Sequence, residues 1–154
     1  MPTYKECRPG DVVHLPLQEP AEDSIIWRKL NPNGSEQPWN HPAVIIGKIE
    51  EDGKQCLRIR LCTSFGGRRI DKCKEPRHRN FYVLVDNKQD NTTHNSTRLT
   101  TLAPGSDKFT RRTYVNLSYG SEYFIEYKYL ESWGPKLIQL DAESTQRIID
   151  CRSS

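Results

Sequence analysis

A β-hairpin encoded between residues 43 and 61 constrains the fold more than any other feature of the chain. Residues 43–49 form an apolar run typical of a buried strand, and the Asp52-Gly53 pair after it is a strong signal for a tight hairpin turn. Apolar and polar residues then alternate over residues 55–61. This alternation predicts a second strand with one face toward the core, and it places two arginines on the opposite face, Arg58 and Arg60.

Several other short apolar runs predict a fold built mostly from strands. They are rich in β-branched and aromatic residues and are separated by proline, glycine and asparagine. The predicted strands cover residues 11–15, 81–85, 114–117, 123–127 and 136–140. Only the segment that follows Asp141 has the signals of a helix, because Asp141 can cap its first turn and Glu143 favours the positive end of the helix dipole. We therefore predict a mostly β protein with a C-terminal helix.

The length of the chain, 154 residues, predicts one domain spanning residues 1–154. A chain of this size buries roughly 70% of its unfolded surface, which is enough for a hydrophobic core. Only 34% of the residues are hydrophobic, so polar loops must surround a smaller apolar centre. The two longest loops are predicted over residues 19–33 and 86–112, and loops of this length in a small domain often carry function.

The sequence predicts an intracellular protein that does not enter membranes. Its first residues lack the apolar segment of a secretory signal, and no apolar run is long enough to span a bilayer. Five cysteines at irregular spacing favour reduced thiols over a disulfide framework or a zinc site. We expect a cytoplasmic location, with the nucleus as an alternative and a processed secreted form as a further one. No cofactor motif is present, and the four histidines lack metal-ligand spacing.

A histidine and a threonine are the strongest candidates for a reactive site. His41 immediately precedes the first strand of the hairpin, and the hairpin register places Thr63, at the end of the second strand, beside it. Metal-independent RNA cleavage needs a base for the ribose 2′-hydroxyl, an acid for the leaving oxygen and donors for the charged phosphate. His41 can act as acid or base. The Thr63 hydroxyl and the amides of the following turn can hold the phosphate, and that turn contains Ser64, Gly66 and Gly67.

Four motifs in this order resemble the MazF/PemK family. They are Gly10-Asp11 followed by alternating apolar residues, the run Gly34-Ser35-Glu36-Gln37, a proline opening an apolar strand at Pro42, and a strand ending in Thr63-Ser64 with glycines after it. The resemblance covers roughly the first half of the chain. It implies a small SH3-like barrel of about six or seven strands with a C-terminal helix, often dimeric. It also implies endonuclease activity on single-stranded RNA, giving 2′,3′-cyclic phosphate ends, with Glu36 orienting the loop or the substrate.

The chain departs from the family pattern at positions where charge is expected. Many members carry an arginine before the proline of the second strand, where this chain has His41. Some members also have an arginine and an aspartate where this chain has Asn116 and Ser118, and by this alignment Asn116 lies at the substrate site. The resemblance also implies a protein inhibitor as a possible partner.

Basic and aromatic residues complete the predicted RNA surface. Arg68 and Arg69 open a basic segment that continues to Arg79. The substrate-binding surface is expected to include Arg58, Arg60, Arg111 and Arg112 on the same side. Trp39 lies among polar residues just before His41, and base stacking, contact with a second subunit and plain surface packing are the alternatives for it. The net charge is only +3, which is modest for a dedicated nucleic-acid domain.

Two functions from different classes therefore stay open from the sequence. The first is a metal-independent endoribonuclease that uses His41 and Thr63. The second is a catalytically inactive barrel that binds RNA or a protein partner, favoured by the uncharged residues at Asn116 and Ser118. A scaffold without any nucleic-acid role is a third reading, and it predicts no salt-sensitive RNA binding.

Overall fold

Strands dominate the protein, and one longer helix lies near its C-terminus. The computed structural model describes residues 1–17, 20–26, 38–118 and 120–151. The strands are β1 (Val12–His14), β2 (Pro42–Glu51), β3 (Lys54–Thr63), β4 (Tyr82–Val85), β5 (Thr113–Asn116), β6 (Glu122–Glu126) and β7 (Glu131–Ser132). In the described ranges, helix α1 covers Pro76–Arg79, helix α2 covers Ala142–Asp150, and 3-10 turns lie at Phe65–Gly67, Ile70–Lys72 and Tyr127–Tyr129.

The predicted hairpin forms the centre of the sheet. Strands β2 and β3 pair antiparallel over almost their whole length, and a bulge interrupts the register between Ile45 and Gly47. The turn residues Asp52 and Gly53 have positive φ angles of 53° and 74°. Two positive φ angles are what a type I′ hairpin turn requires, so the Asp-Gly pair defines this turn as predicted.

All seven strands belong to one antiparallel sheet with the order β4-β5-β3-β2-β1-β7, and β6 also pairs with β3. One edge of β3 is shared, because β6 pairs with residues 56–60 and β5 with Cys62 and Thr63. The 3-10 turn Tyr127–Tyr129 leads the chain from β6 to β7, which pairs with β1 on the other side of the hairpin. The predicted mostly β fold with a C-terminal helix is confirmed. No helix in the described part of the chain is long and apolar enough to span a membrane.

Both faces of the central hairpin are covered by apolar side chains. The first core cluster contains Ile45, Leu57, Ile59 and Leu61, with residues from β1 and β6. The second cluster lies on the other face, where Val44 and Cys62 pack with residues of β5, the C-terminal segment and α2. Because each face has its own core, a polar side chain on either face of β3 can be buried.

Helix α2 begins where the sequence predicts. The Asp141 carboxylate accepts a hydrogen bond from the Ser144 N–H at 2.8 Å, which caps the first turn. Burial opposes ionisation of Asp141, but hydrogen bonds from Thr101 and Ser144 outweigh it and lower the pKa of this carboxyl. On the inner face of the helix, Ile148 packs into the second core cluster.

The predicted strand over residues 136–140 does not form as a regular ladder. Only two isolated bridges involve it, Asp11 with Gln139 and Leu102 with Leu140. The segment lies between β1 and the loop around residue 102, and its main chain forms hydrogen bonds with both. Its apolar residues are therefore buried although no continuous partner strand is present beside it. Strand β7 was not predicted, because two exposed residues carry no alternating pattern.

Side-chain hydrogen bonds hold the long loop over residues 86–112 in place. The buried Asn87 amide donates to the carbonyl oxygens of Val85 and Asp90, at 2.8 and 3.0 Å. Of the other predicted loop, 19–33, residues 20–26 are described, and Ile26 is buried in the first core cluster. Glu126 fixes this part, because its carboxylate accepts hydrogen bonds from the Ser24 hydroxyl at 2.7 Å and the Ile25 N–H at 3.0 Å.

Candidate functional site

A cleft of about 490 Å³ opens at the end of the central hairpin. The start of β2, the end of β3, the turn after it and the loop before β5 line the cleft. Trp133, just after β7, lines it as well. The lining residues are Asn40, His41, Pro42, Cys62, Thr63, Ser64, Phe65, Gly66, Phe109, Thr110, Arg111, Thr113 and Trp133. The structure thus brings His41 and Thr63 into one cavity.

The His41 ring is held by the main chain of β3. Its Nδ1 lies 3.1 Å from the Cys62 carbonyl oxygen, and a carbonyl can only accept a hydrogen bond, so Nδ1 carries the proton. In the neutral ring this leaves Nε2 as the unprotonated nitrogen, for which no residue in the described part of the chain is a partner. Nε2 can therefore accept a proton from a bound molecule.

Thr63 shapes the turn that forms the neighbouring wall. Its hydroxyl oxygen accepts a hydrogen bond from the Phe65 N–H at 3.2 Å, which leaves the hydroxyl proton available for a ligand. Phe65, Gly66 and Gly67 all have positive φ angles, of 50°, 66° and 89°. The Gly67 N–H donates to Ser64 O at 2.8 Å. Two of the amides predicted to hold phosphate, those of Phe65 and Gly67, are therefore used within the turn, whereas Ser64 and Gly66 line the cleft directly.

Arg111 provides the permanent positive charge of the cleft. Its side chain is exposed, and it forms no ion pair with any residue that the structure describes. The neighbouring Arg112 is instead buried and structural. Its guanidinium donates to the Gly67 carbonyl oxygen and to the Asp90 carboxylate, each at 3.1 Å. Arg112 therefore joins the turn on one wall of the cleft to the loop that carries Arg111.

The two arginines of β3 do not line the cleft. Both lie on the face opposite the first core cluster, as predicted, but the second cluster covers that face at Arg60, which is only 4% exposed. Arg60 donates hydrogen bonds to Ser118 O and the Ser121 hydroxyl and lies 3.6 Å from Glu122. Arg58 also pairs with Glu122. Arg60 is therefore a structural residue, which corrects its expected place on the RNA-binding surface.

The basic segment after the turn is exposed but partly neutralised. Arg68 is exposed at the edge of the turn and donates to Phe65 O at 3.1 Å. Arg69 is also exposed and pairs with Asp71 at 3.3 Å. Arg77 pairs with Glu75, and Arg79 donates to main-chain carbonyl oxygens. The segment thus presents fewer free charges than its sequence indicates.

Of three other predicted site residues, two do not line the cleft and one lies outside the residues that the structure describes. Trp39 is partly buried and packs against the first core cluster, so it does not stand free as a lid. Asn116 is 2% exposed, and its side-chain oxygen accepts a hydrogen bond from the Ser118 N–H at 2.9 Å, which places it inside the fold and not at a substrate surface. Glu36 lies outside the described residues.

The sequence placed Arg111 on the predicted RNA surface, but it did not place the loop before β5 or Trp133 beside His41. Trp133 belongs to an aromatic-rich stretch that packing explains, yet its side chain is 37% exposed at the cleft. Its ring lies 5.3 Å from that of His14, whose Nε2 is 2.9 Å from Asn40 Oδ1. The local sequence offers one signal that could have marked this position, an aromatic residue in a Ser-Trp-Gly turn.

Burial disfavours thiol chemistry at Cys62 in the cleft. All five cysteines are free, and burial raises the pKa of the Cys62 thiol well above its ordinary value, which disfavours the nucleophilic thiolate. No cluster of three or more histidine, cysteine, aspartate or glutamate side chains suited to a metal ion occurs among the described residues.

Comparisons with known proteins give no relative for this chain. No protein-family model, curated protein or solved structure gives a significant match.

Proposed function

We propose that this protein binds single-stranded RNA in the cleft and cleaves it without a metal ion. The observation that carries the proposal is the fixed ring of His41, whose Nδ1 donates to Cys62 O and whose Nε2 is left as a base. The same cleft holds a hydroxyl donor, Thr63, and the cation of Arg111, which forms no ion pair among the described residues. These are a base, a hydrogen-bond donor and a positive charge, three of the four groups that metal-independent cleavage of RNA uses, and the fourth, an acid for the leaving oxygen, is left to water.

The reaction follows from the chemistry of these groups. Nε2 of His41 takes the proton of the ribose 2′-hydroxyl, and the resulting oxygen attacks the adjacent phosphorus. The P–O bond to the 5′ oxygen breaks, and that oxygen takes a proton from water in the open cleft. The products are a 2′,3′-cyclic phosphate and a 5′-hydroxyl. Thr63 donates to a non-bridging oxygen of the phosphate, and Arg111 balances its growing negative charge.

Arg111 offers a positive charge in place of the arginine that the MazF/PemK pattern has before Pro42. The position that many members fill with arginine is His41 here, and histidine lacks the permanent charge and forked donors of a guanidinium. Arg111 reaches the same cleft from the loop before β5. A guanidinium from this loop supports the proposal that phosphate binding is retained although the arginine before Pro42 is absent.

One observation favours a second function, RNA binding without cleavage. Among the described residues that line the cleft, His41 is the only group suited to act as an acid or a base near neutral pH. Efficient cleavage commonly uses both an acid and a base. If water cannot supply the proton that the leaving 5′ oxygen needs, we expect the protein to bind RNA in the cleft and leave it intact.

Incubation of the protein with a long single-stranded RNA in EDTA separates these two functions. The cleaving protein gives fragments with 2′,3′-cyclic phosphate ends, and His41→Ala loses at least about a hundredfold in rate. His78→Ala, which changes an exposed histidine outside the cleft, is the matched control and keeps the activity. RNA left intact by the wild-type protein but bound by it supports the binding module, and RNA neither cut nor bound overturns both.

Salt dependence tests the phosphate contact independently. Replacing one phosphate-binding cation lowers the slope of log affinity against log salt by about 1. Arg111→Gln should therefore reduce this slope for a non-cleavable DNA oligonucleotide, whereas Arg77→Gln, which removes a charge already paired with Glu75, should change it less. An unchanged slope in Arg111→Gln would remove this residue from the proposed site.

The resemblance also implies a homodimer and a protein inhibitor, and both belong to this proposal. Light scattering of the purified protein measures the mass of the particle in solution. A monomeric mass over the micromolar range would contradict the dimer.

A further inference from the structure

A second cavity, of about 210 Å³, lies next to the cleft and shares Trp133 with it. The turn after β7 forms most of its wall, and Lys136 and Leu137 belong to that wall. Its volume is below the roughly 300–1,000 Å³ of a site for a whole drug-sized ligand. A single planar ring system suits a cavity of this size.

Exposed apolar side chains are concentrated around this second cavity. In the described part of the chain, four large apolar side chains are exposed, and three of them border it, namely Met1 at 45%, Trp133 at 37% and Leu137 at 40%. Apolar surface left in water is unfavourable, so its concentration at one place marks a surface that binds something.

Trp133 is held as a rigid surface between the two cavities. Its ring centroid lies 5.3 Å from that of His14 and 6.1 Å from that of Phe109, both in tilted arrangements. Phe109 is buried in the second core cluster, so this contact anchors the indole to the body of the protein. An aromatic ring that is fixed and still partly exposed can stack on a base at little cost in entropy.

Lys136 adds the charge that a nucleotide needs. It is exposed, it borders the same cavity, and it pairs with no carboxylate among the described residues. A protein partner or second copy would need about 800 Å² of surface on each side. Three partly exposed side chains supply only part of that area, whereas one stacked base and one phosphate match an aromatic ring beside a lysine.

We infer that the second cavity is a base-binding subsite for single-stranded RNA. A base stacks on Trp133, its phosphate contacts Lys136, and the neighbouring phosphate lies in the cleft with His41 and Thr63. The inference rests on the proposed function, because the two cavities bind successive parts of one strand.

Binding of a short single-stranded DNA oligonucleotide, which has no 2′-hydroxyl and is not cut, tests the subsite. Fluorescence anisotropy is measured for the intact strand and for strands with one abasic position each. We expect Trp133→Leu to weaken binding of the intact strand by about tenfold or more. We also expect that one abasic position weakens binding to the wild-type protein but does not weaken binding to Trp133→Leu any further.

Leu137→Ser and Lys136→Gln provide variants that keep the indole, and each should also weaken binding. Leu17→Ser is the matched control, because Leu17 is 72% exposed but does not border either cavity. Circular dichroism of each variant confirms folding.

The outcomes separate the subsite from the proposed function. If the wild-type protein binds the strand but the losses of binding free energy from Trp133→Leu and from every abasic position are additive, the subsite is overturned. This result leaves the proposal for the cleft standing. No binding of the oligonucleotide by the wild-type protein overturns the subsite, whereas the proposed function is overturned only if RNA is neither cut nor bound. A dimer that Leu137→Ser dissociates without a change in affinity assigns the surface to a second copy and overturns the subsite.

Discussion

Asp90 lies 3.1 Å from Nη2 of Arg112, and this ion pair joins the beginning of the long loop before β5 to its end. The Arg112 side chain is only 11% exposed and that of Asp90 26%, so water screens the pair less than a surface salt bridge. The same guanidinium also reaches Gly67 O. The ion pair therefore stabilises the fold and also sets the position of the loop that carries Arg111.

Asp90→Asn should lower the free energy of unfolding by about 1–3 kcal/mol, because it leaves the Arg112 cation without its charged partner. Asp71→Asn is the matched control, since it breaks only the exposed pair with Arg69, and a change of about 0–1 kcal/mol is expected. Urea titration of both variants measures the difference. Equal effects would show that the Asp90 pair acts like a surface salt bridge.

The stabilisation by Asp90 should depend on pH in a defined direction. The Thr92 N–H lowers the pKa of Asp90 most, followed by the Thr92 hydroxyl and Arg112. A carboxyl with a lowered folded-state pKa stabilises the fold above its unfolded value of about 3.9, and this contribution is lost as pH falls through the folded value. The difference between wild type and Asp90→Asn should therefore be constant near neutral pH and shrink below about pH 4. A difference that grew in acid would contradict this assignment.

Thr63 should matter through its hydroxyl and not through its shape. Thr63→Val keeps the branched side chain but removes the donor, and we expect cleavage to fall by about 10²-fold, as for loss of one donor to a transition-state oxyanion. Thr63→Ser keeps the hydroxyl and should retain most of the rate. The measurement is the single-turnover rate on RNA in EDTA. Similar losses in both variants would indicate a packing role.

Gly10 should tolerate no side chain, for a reason specific to its position. Its φ angle is +98°, and a Cβ atom built there would lie 2.6 Å from the Thr145 hydroxyl oxygen and 3.1 Å from Leu140 O. Gly10→Ala should cost about 2–4 kcal/mol, from backbone strain and from overpacking against α2. Gly53→Ala has strain without any atom within 4 Å and should cost only about 1–2 kcal/mol. Denaturant titration compares the two, and equal losses would exclude the close contact as a cause.

The five thiols should differ sharply in reactivity. Cys62, Cys56 and Cys7 are buried, and burial raises the pKa of each thiol. Cys73 and Cys151 are partly exposed. Alkylation with iodoacetamide, followed by mass spectrometry, should modify Cys73 and Cys151 first, since only the thiolate reacts. Early modification of Cys62 in the folded protein would reopen a nucleophilic role for it.

Local patterns predicted most of the strands and little of the cleft. The Asp52-Gly53 turn, the alternation along β3 and the Asp141 cap depend on neighbours in the sequence, so they could be predicted correctly. The proximity of His41 and Thr63 at one cleft could be predicted from the hairpin register. Arg60 shows the limit, because alternation indicates which face a residue lies on but not whether another part of the chain covers that face.

The sequence by itself determined the secondary structure around the central hairpin, because turn geometry and side-chain periodicity act over a few residues. The tertiary structure decided what surrounds the cleft. Arg111 and Trp133 are far from His41 in the sequence and reach it only through the pairing of β5 with β3 and of β7 with β1. The same packing buries Arg60 and Asn116. Which side chains meet at the cleft depends on contacts between distant segments, and these form only when the whole sheet and its two cores assemble.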